Sequence, residues 1–212
     1  MGGKMRNRFL SLAVLLCPLT IATMAAAAET RLAPLPPEKY TAAQKKAVAD
    51  FEAVRKAPIS GPWIPLLRSP ELMTSAFTMG NYVRYKLSIG PMLTDFGIMV
   101  VARQWALDFE WSIHAPQAVK EGVSQDIVNA LADGRRPTGM SDDQALVYDF
   151  TTELQQNHRV SDVTYDRAVK RFGENGVIDL VGLNGYYTLL AMTFNTARIA
   201  APDGTKLTRF PE

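Results

Sequence analysis

The sequence predicts an all-α protein, and three observations carry that expectation. Thr41-Ala-Ala-Gln44 and Ser141-Asp-Asp-Gln144 both have capping-box spacing, in which a hydroxyl and a glutamine satisfy two backbone N–H groups left free at a helix start. No segment alternates apolar and polar residues as a half-buried strand does. The last long apolar segment, residues 176–199, has the length of a helix rather than of a strand.

Taken in order, Lys4, Arg6 and Arg8 precede an apolar run from Phe9 to about Ala28, closed by small alanines before Glu29 and Thr30. This is the pattern of a cleaved secretory signal over residues 1–28, with an uncleaved anchor as the alternative. A lipoprotein signal needs a small residue directly before the cysteine, and Leu16 before Cys17 is not small. Residues 29–40 form a Pro-rich arm, because Pro34, Pro36 and Pro37 lack donors and bias their neighbours to extended backbone. Residues 41–212 read as one domain, in keeping with the length of the chain.

Within that domain Ala47, Val48, Phe51 and Val54 recur at helical spacing up to about Lys56. A loop over residues 58–65 leads to Ser69-Pro70-Glu71, where serine can cap, proline suits the first helical position and glutamate favours the positive end of the dipole. That helix extends to about Leu87. Phe96, Ile98, Met99, Val100 and Val101 are nearly continuous, so residues 92–104 fit a buried helix or a strand, and length and neighbours favour the helix. Asp108 can cap a helix to Glu121, stopped by Gly122, and Ser124 opens a short one to Leu131. After a loop over residues 133–139, helices follow from Ser141 to about Asn157 and from Ser161 or Asp162 to Phe172. In the final segment Gly182 and Gly185 cost stability unless a neighbouring backbone packs closely there.

Composition excludes several functions. The 212 residues carry 23 Lys and Arg against 21 Asp and Glu, and no basic run exceeds two residues, so nothing marks a nucleic-acid partner. Cleavage after Ala28 removes three cations and no anions, leaving a net charge of −1. It also removes Cys17, the only cysteine, so the mature chain has no thiol and cannot use cysteine chemistry. No stable membrane insertion is expected after cleavage.

One stretch stands out chemically, Trp105-Ala-Leu-Asp-Phe-Glu-Trp-Ser-Ile-His-Ala-Pro116. Glu110 and His114 lie four residues apart, which on a helix brings their Cβ atoms to about 5–6 Å on one face. A carboxylate so placed can hold an imidazole in one tautomer for acid/base work, or the two can form a plain surface pair. Glu110, His114 and His158 offer too few ligands at the wrong spacing for zinc. His158 sits at an expected helix end, where a cation complements the dipole. Trp105, Phe109 and Trp111 can wall a pocket or simply fill a core. There is no Gly-rich phosphate loop, G-x-S-x-G or H-E-x-x-H motif.

Three segments together resemble the carboxymuconolactone decarboxylase-like proteins, which share the all-α AhpD-like helical bundle. They are Gly61-Pro-Trp-Ile-Pro-Leu-Leu-Arg-Ser-Pro-Glu-Leu72, Phe109-Glu-Trp-Ser-Ile-His-Ala-Pro116 with Glu121-Gly-Val-Ser124, and Gly185-Tyr-Tyr-Thr-Leu-Leu-Ala-Met-Thr-Phe-Asn195. The peroxidase branch of that family carries a Glu, a C-x-x-C pair and a His four residues after the second Cys. Placing that His on His114 puts Glu110 at the second Cys, Leu107 at the first and Asp95 at the Glu. Both thiols are missing, so peroxide chemistry lacks its nucleophile.

The decarboxylase branch instead keeps a Glu and a His here, which Glu110 and His114 resemble. The resemblance implies a lyase that needs no cofactor and no metal and acts on a small lactone or cyclic carboxylic acid. His114 is then the acid that protonates the carbanion left by CO2, with Glu110 orienting it. Arg103 or Arg84 anchors a substrate carboxylate, and Trp111 belongs to the substrate pocket. Family members assemble as trimers or hexamers, so a homo-oligomer is expected, here periplasmic or secreted. A related isomerase or hydrolase is an alternative, as is a non-catalytic periplasmic binding or assembly protein; a pocket containing Glu110 and His114 favours an enzyme.

Overall fold

The computed structural model describes residues 1–2 and 30–207. The expected signal segment, Cys17 included, therefore lies outside the described residues apart from Met1 and Gly2. Among the described residues the chain is helical throughout and has no strand. The helices are α1 (Ala42–Arg55), α2 (Trp63–Leu66), α3 (Pro70–Tyr85), α4 (Pro91–Gln104), α5 (Asp108–Lys120), α6 (Gln125–Ala132), α7 (Asp142–Asn157) and α8 (Asp162–Ala197), preceded by a 3-10 turn at Pro37–Lys39.

The near-continuous apolar run becomes the central helix. Every residue of α4 from Leu93 to Arg103 is buried, and α4 packs against α5, α7 and α8, with α3 and α6 at its margins. A helix surrounded on all sides is apolar on all sides, which is why its sequence shows no amphipathic period. Gly97 allows this crowding: a Cβ there would lie 3.2 Å from Leu183 on α8 and 3.3 Å from Val147 on α7.

Both capping boxes form. Thr41 accepts from the Gln44 N–H while the Gln44 side chain accepts from Thr41, and Ser141 and Gln144 do the same on α7. Ser124 and Ser161 cap α6 and α8. Gly173, with φ 71° and ψ 173°, breaks α8 into residues 162–172 and 174–197, matching the two helices expected from sequence. Residues 174–197 are apolar because they complete the core: Leu180, Leu183, Tyr187, Leu190 and Phe194 are all buried.

Four local expectations are corrected. The loop before α3 contains the one-turn helix α2, formed because Trp63, Leu66 and Leu67 must all be buried and Pro62 already has the required φ of −66°. Ser69 precedes α3 but makes no capping bond. Leu107, not Asp108, is the residue before α5, and the Asp108 carboxylate instead accepts the Leu207 N–H at 2.7 Å, tying down the C-terminal segment. At Gly182 and Gly185 nothing lies within 4 Å of where a Cβ would stand, so no neighbour among the described residues accounts for either glycine. The Pro-rich arm, in turn, is tied to the body: the Arg31 N–H donates to Ala197 O at 2.8 Å and Arg68 donates to the Ala33 carbonyl at 2.7 Å.

Candidate active site

The i, i+4 spacing of Glu110 and His114 places both on the face of α5 that meets α4 and α8. His114 Nε2 lies 3.0 Å from Glu110 Oε2, and His114 Nδ1 lies 2.5 Å from Asp95 Oδ1 on α4. Arg84, in the last turn of α3, donates through Nη1 to the same Asp95 oxygen. Three members of this relay are nearly sealed from solvent, with Asp95 and His114 3% exposed and Glu110 6% exposed, while Arg84 is half-buried.

Protonation follows from the geometry. An arginine only donates, so Asp95 Oδ1 is the acceptor for both Arg84 Nη1 and the His114 Nδ1–H, and the 2.6 Å between those nitrogens reflects two donors converging on one oxygen. The contact between Nε2 and Glu110 Oε2 requires one further proton, held by the imidazole or by the carboxyl. In either arrangement Arg84, Asp95, His114 and Glu110 sum to zero charge, which removes most of the cost of burying them. Burial works against the Asp95 carboxylate, but the hydrogen bond from His114 and the charges of His114 and Arg84 outweigh it and hold Asp95 below the usual carboxylate range. Burial likewise opposes the Arg84 charge, and Tyr187 and Asp95 overcome that and raise it.

A cavity of about 190 Å³ lies on the Glu110 side of this relay. Glu110 and Arg84 line it together with Arg55, Trp63, Phe109, Tyr186 and Tyr187, whereas His114 and Asp95 stand behind. Two glycines shape the wall. Gly80 lets the Tyr186 hydroxyl reach a point only 2.2 Å from where its Cβ would be, and Gly61, with φ +55°, lets its loop lie against the Phe109 ring. The Phe109 ring stacks on Phe194 at 4.6 Å, and the Tyr187 ring meets His114 edge-on at 5.5 Å. Burial and then the Glu110 charge push the hydroxyls of both Tyr186 and Tyr187 well up, so both stay neutral.

Of the residues singled out in sequence, Glu110, His114, Asp95 and Arg84 are brought together. Arg103 and Trp111 are not. Arg103 is buried toward the C-terminal end of α4 against Gly134, whose Cβ would stand 2.8 Å from Nη2, and does not line the relay cavity. Trp111 lies one position around α5 and faces a separate cavity of about 460 Å³, bounded by Ala115, Val119, Val128, Asp203 and Thr205. That larger space lacks the relay. His158 caps α7 with φ 60° and borders a groove between α7 and α8. Arg55, Tyr186 and Tyr187 are additional cavity residues. The tyrosines lie in a segment already notable in sequence, but Arg55 carries no signal there beyond that of a basic residue in a last helical turn.

Both nitrogens of His114 face carboxylate oxygens, so neither presents a lone pair to a metal. Among the described residues no group of three His, Cys, Asp or Glu side chains is arranged to hold one. No protein-family model matches the sequence, and comparison with curated proteins also finds no match.

Proposed function

We propose that the protein is an acid/base enzyme of the carboxymuconolactone decarboxylase type, a lyase that uses its own side chains to remove CO2 from a small lactone or cyclic carboxylic acid. The observation that carries this reading is a buried carboxylate, Glu110, standing at a cavity wall with an imidazole, a second carboxylate and a guanidinium aligned behind it. Such an arrangement supplies one proton at a fixed point, shielded from water, with a route to replace it. The roles of the pair are the reverse of those expected from sequence. Glu110 faces the substrate and transfers the proton, whereas His114 positions Glu110 and shares that proton with it, itself held by Asp95.

In the proposed reaction the bond to the carboxylate carbon breaks and CO2 departs. The electron pair left behind spreads toward the lactone carbonyl, where Arg84 can stabilise the developing negative charge. Glu110 in its acid form delivers the proton it shares with His114 Nε2 to the carbanion, and a proton taken up from solvent restores the pair before the next turnover. A peroxidase role has no support, because Leu107 and Glu110 occupy the positions of the two thiols and the chain contains one cysteine, Cys17.

We further propose export from the cytoplasm, on the N-terminal sequence pattern, and assembly as a homo-trimer or hexamer. The exposed side chains Ile178, Val181 and Met192 fall with Gly185 along one stripe of α8, an apolar face that a second copy can cover.

The activity is tested by incubating the purified protein with a panel of γ-lactone carboxylic acids and following CO2 release. A member of the panel turned over by the wild type and by neither Glu110→Gln nor Glu110→Ala is the expected result. Turnover undiminished in Glu110→Gln excludes this mechanism.

A further inference from the structure

Arg55 closes α1 and reaches the cavity into which Glu110 faces. Its guanidinium is held by two side chains of α3. It packs over the Phe77 ring at 5.2 Å from the centroid and the Tyr85 ring at 5.3 Å, and Nη1 donates to the Tyr85 hydroxyl at 2.5 Å. Beneath it the buried rings of Phe51, Trp63 and Phe77 pack against one another with centroids 4.8–5.5 Å apart, so its support is part of the core. Among the described residues no Asp or Glu pairs with Arg55, whereas Arg84, Arg135, Arg136, Arg167 and Arg171 each have a carboxylate.

Charge counting adds an independent point. The relay of Arg84, Asp95, His114 and Glu110 is internally neutral when it holds its shared proton, so Arg55 leaves the cavity with one positive charge in excess. Arg55 is half-buried against these rings, so water screens its charge only in part. A planar guanidinium with one edge fixed on a phenol still offers donors in the fork that matches a carboxylate.

We infer that Arg55 forms an anion subsite at the Glu110 cavity, which selects small ring-sized ligands bearing a carboxylate over their neutral counterparts. Rings suit the walls, which are aromatic on three sides, and about 190 Å³ has room for a single small ring but none for a nucleotide cofactor. Arg55 is thus a specificity-determining residue that sequence reasoning, which looked to Arg84 and Arg103, did not single out. The inference rests on the same cavity as the acid/base reading but not on its chemistry.

The test is calorimetric titration of the full chain with benzoate and with benzamide, and with 2-furoate and 2-furamide, at neutral pH and low salt. Each acid is expected to bind at least tenfold more tightly than its amide. Arg55→Met should reduce that preference to within about threefold while leaving amide affinity unchanged, which also reports that the cavity remains folded. Tyr85→Phe, which removes only the hydrogen bond orienting Arg55, should give an intermediate loss. Glu110→Gln should retain the preference or strengthen it, since it removes a negative charge. Equal binding of acid and amide by the wild type, an unchanged preference in Arg55→Met, or no binding of any of the four probes overturns the subsite. An acid preference that depends on Arg55, combined with undiminished turnover in Glu110→Gln, retains the subsite and rejects the acid/base reading.

Discussion

Glu110 Oε2 and His114 Nε2 lie 3.0 Å apart on one face of α5, with the carboxylate at the cavity wall and the imidazole behind it. This order decides which residue meets a ligand. It also makes the two side chains unequal in their expected mutational effects.

Glu110→Gln should lower turnover of an identified substrate by about 10²–10⁴-fold, the usual contribution of a positioned acid or base. His114→Gln should cost less and should lower kcat more than it alters KM, because Glu110 remains at the wall and loses only the partner that positions it and shares its proton. Steady-state kinetics of the two variants side by side check the order, and a larger loss in His114→Gln than in Glu110→Gln would reverse it.

Asp95 should report itself in acid denaturation. Its folded-state pKa lies below that of the unfolded chain, about 3.9. Its contribution to stability is therefore complete above about pH 4 and is lost as pH falls through the lower folded value. Asp95→Asn should destabilise the protein by about 3–5 kcal/mol at neutral pH, since it leaves Arg84 and His114 facing a neutral amide where a carboxylate balanced their charge. Urea unfolding at pH 7 and at pH 3 should show a smaller difference between the two proteins in acid.

Asp179 forms a second buried anchor, away from the relay. Its carboxylate accepts the Tyr82 hydroxyl at 2.9 Å, the Ser88 N–H at 2.8 Å and the Ser88 hydroxyl at 2.7 Å, joining α8 to the turn between α3 and α4. Asp179→Ala should lower stability by about 1–2 kcal/mol, because hydrogen bonds to a buried carboxylate are lost while the exposed Tyr82 and Ser88 can turn to water. Thermal unfolding followed by circular dichroism measures this. A change below about 0.5 kcal/mol would show that the anchor contributes little.

Gly80 should not tolerate a side chain. A Cβ would stand 2.2 Å from the Tyr186 hydroxyl and 2.7 Å from its ring carbon, so Gly80→Ala forces α3 and α8 apart at the cavity and should cost about 1–3 kcal/mol. Tyr186→Phe in the same protein should recover part of that cost and not all of it, because the ring carbon remains. Denaturant unfolding of the two singles and the double completes the cycle.

Much of this fold was legible in the sequence because its signals are local. Capping boxes at Thr41 and Ser141 and the proline at position 70 each act on their own backbone, and each produced the expected boundary. Signals that depend on neighbours did not transfer. Ser69 and Asp108 have capping chemistry, yet Ser69 makes no capping bond and Asp108 accepts from the distant Leu207. Helical spacing grouped Glu110 with His114, but nothing in the spacing says which face of α5 meets the relay cavity. Arg84 and Arg103 looked equivalent for the same reason, and the packing of α3 and α6 around α4 placed one at the cavity and the other against Gly134. Arg55 was invisible because its role comes from Tyr85 and Phe77 on another helix.

The most direct test of the order from cavity to Glu110 to His114 is an NMR titration with benzoate that follows the imidazole signals of His114 in the wild type and in Glu110→Gln. The expected result is a saturable movement of the His114 signals in the wild type that disappears in Glu110→Gln, although the variant still binds benzoate. Movement of equal size in the variant, or none in the wild type at saturation, contradicts a cavity-facing Glu110 backed by His114.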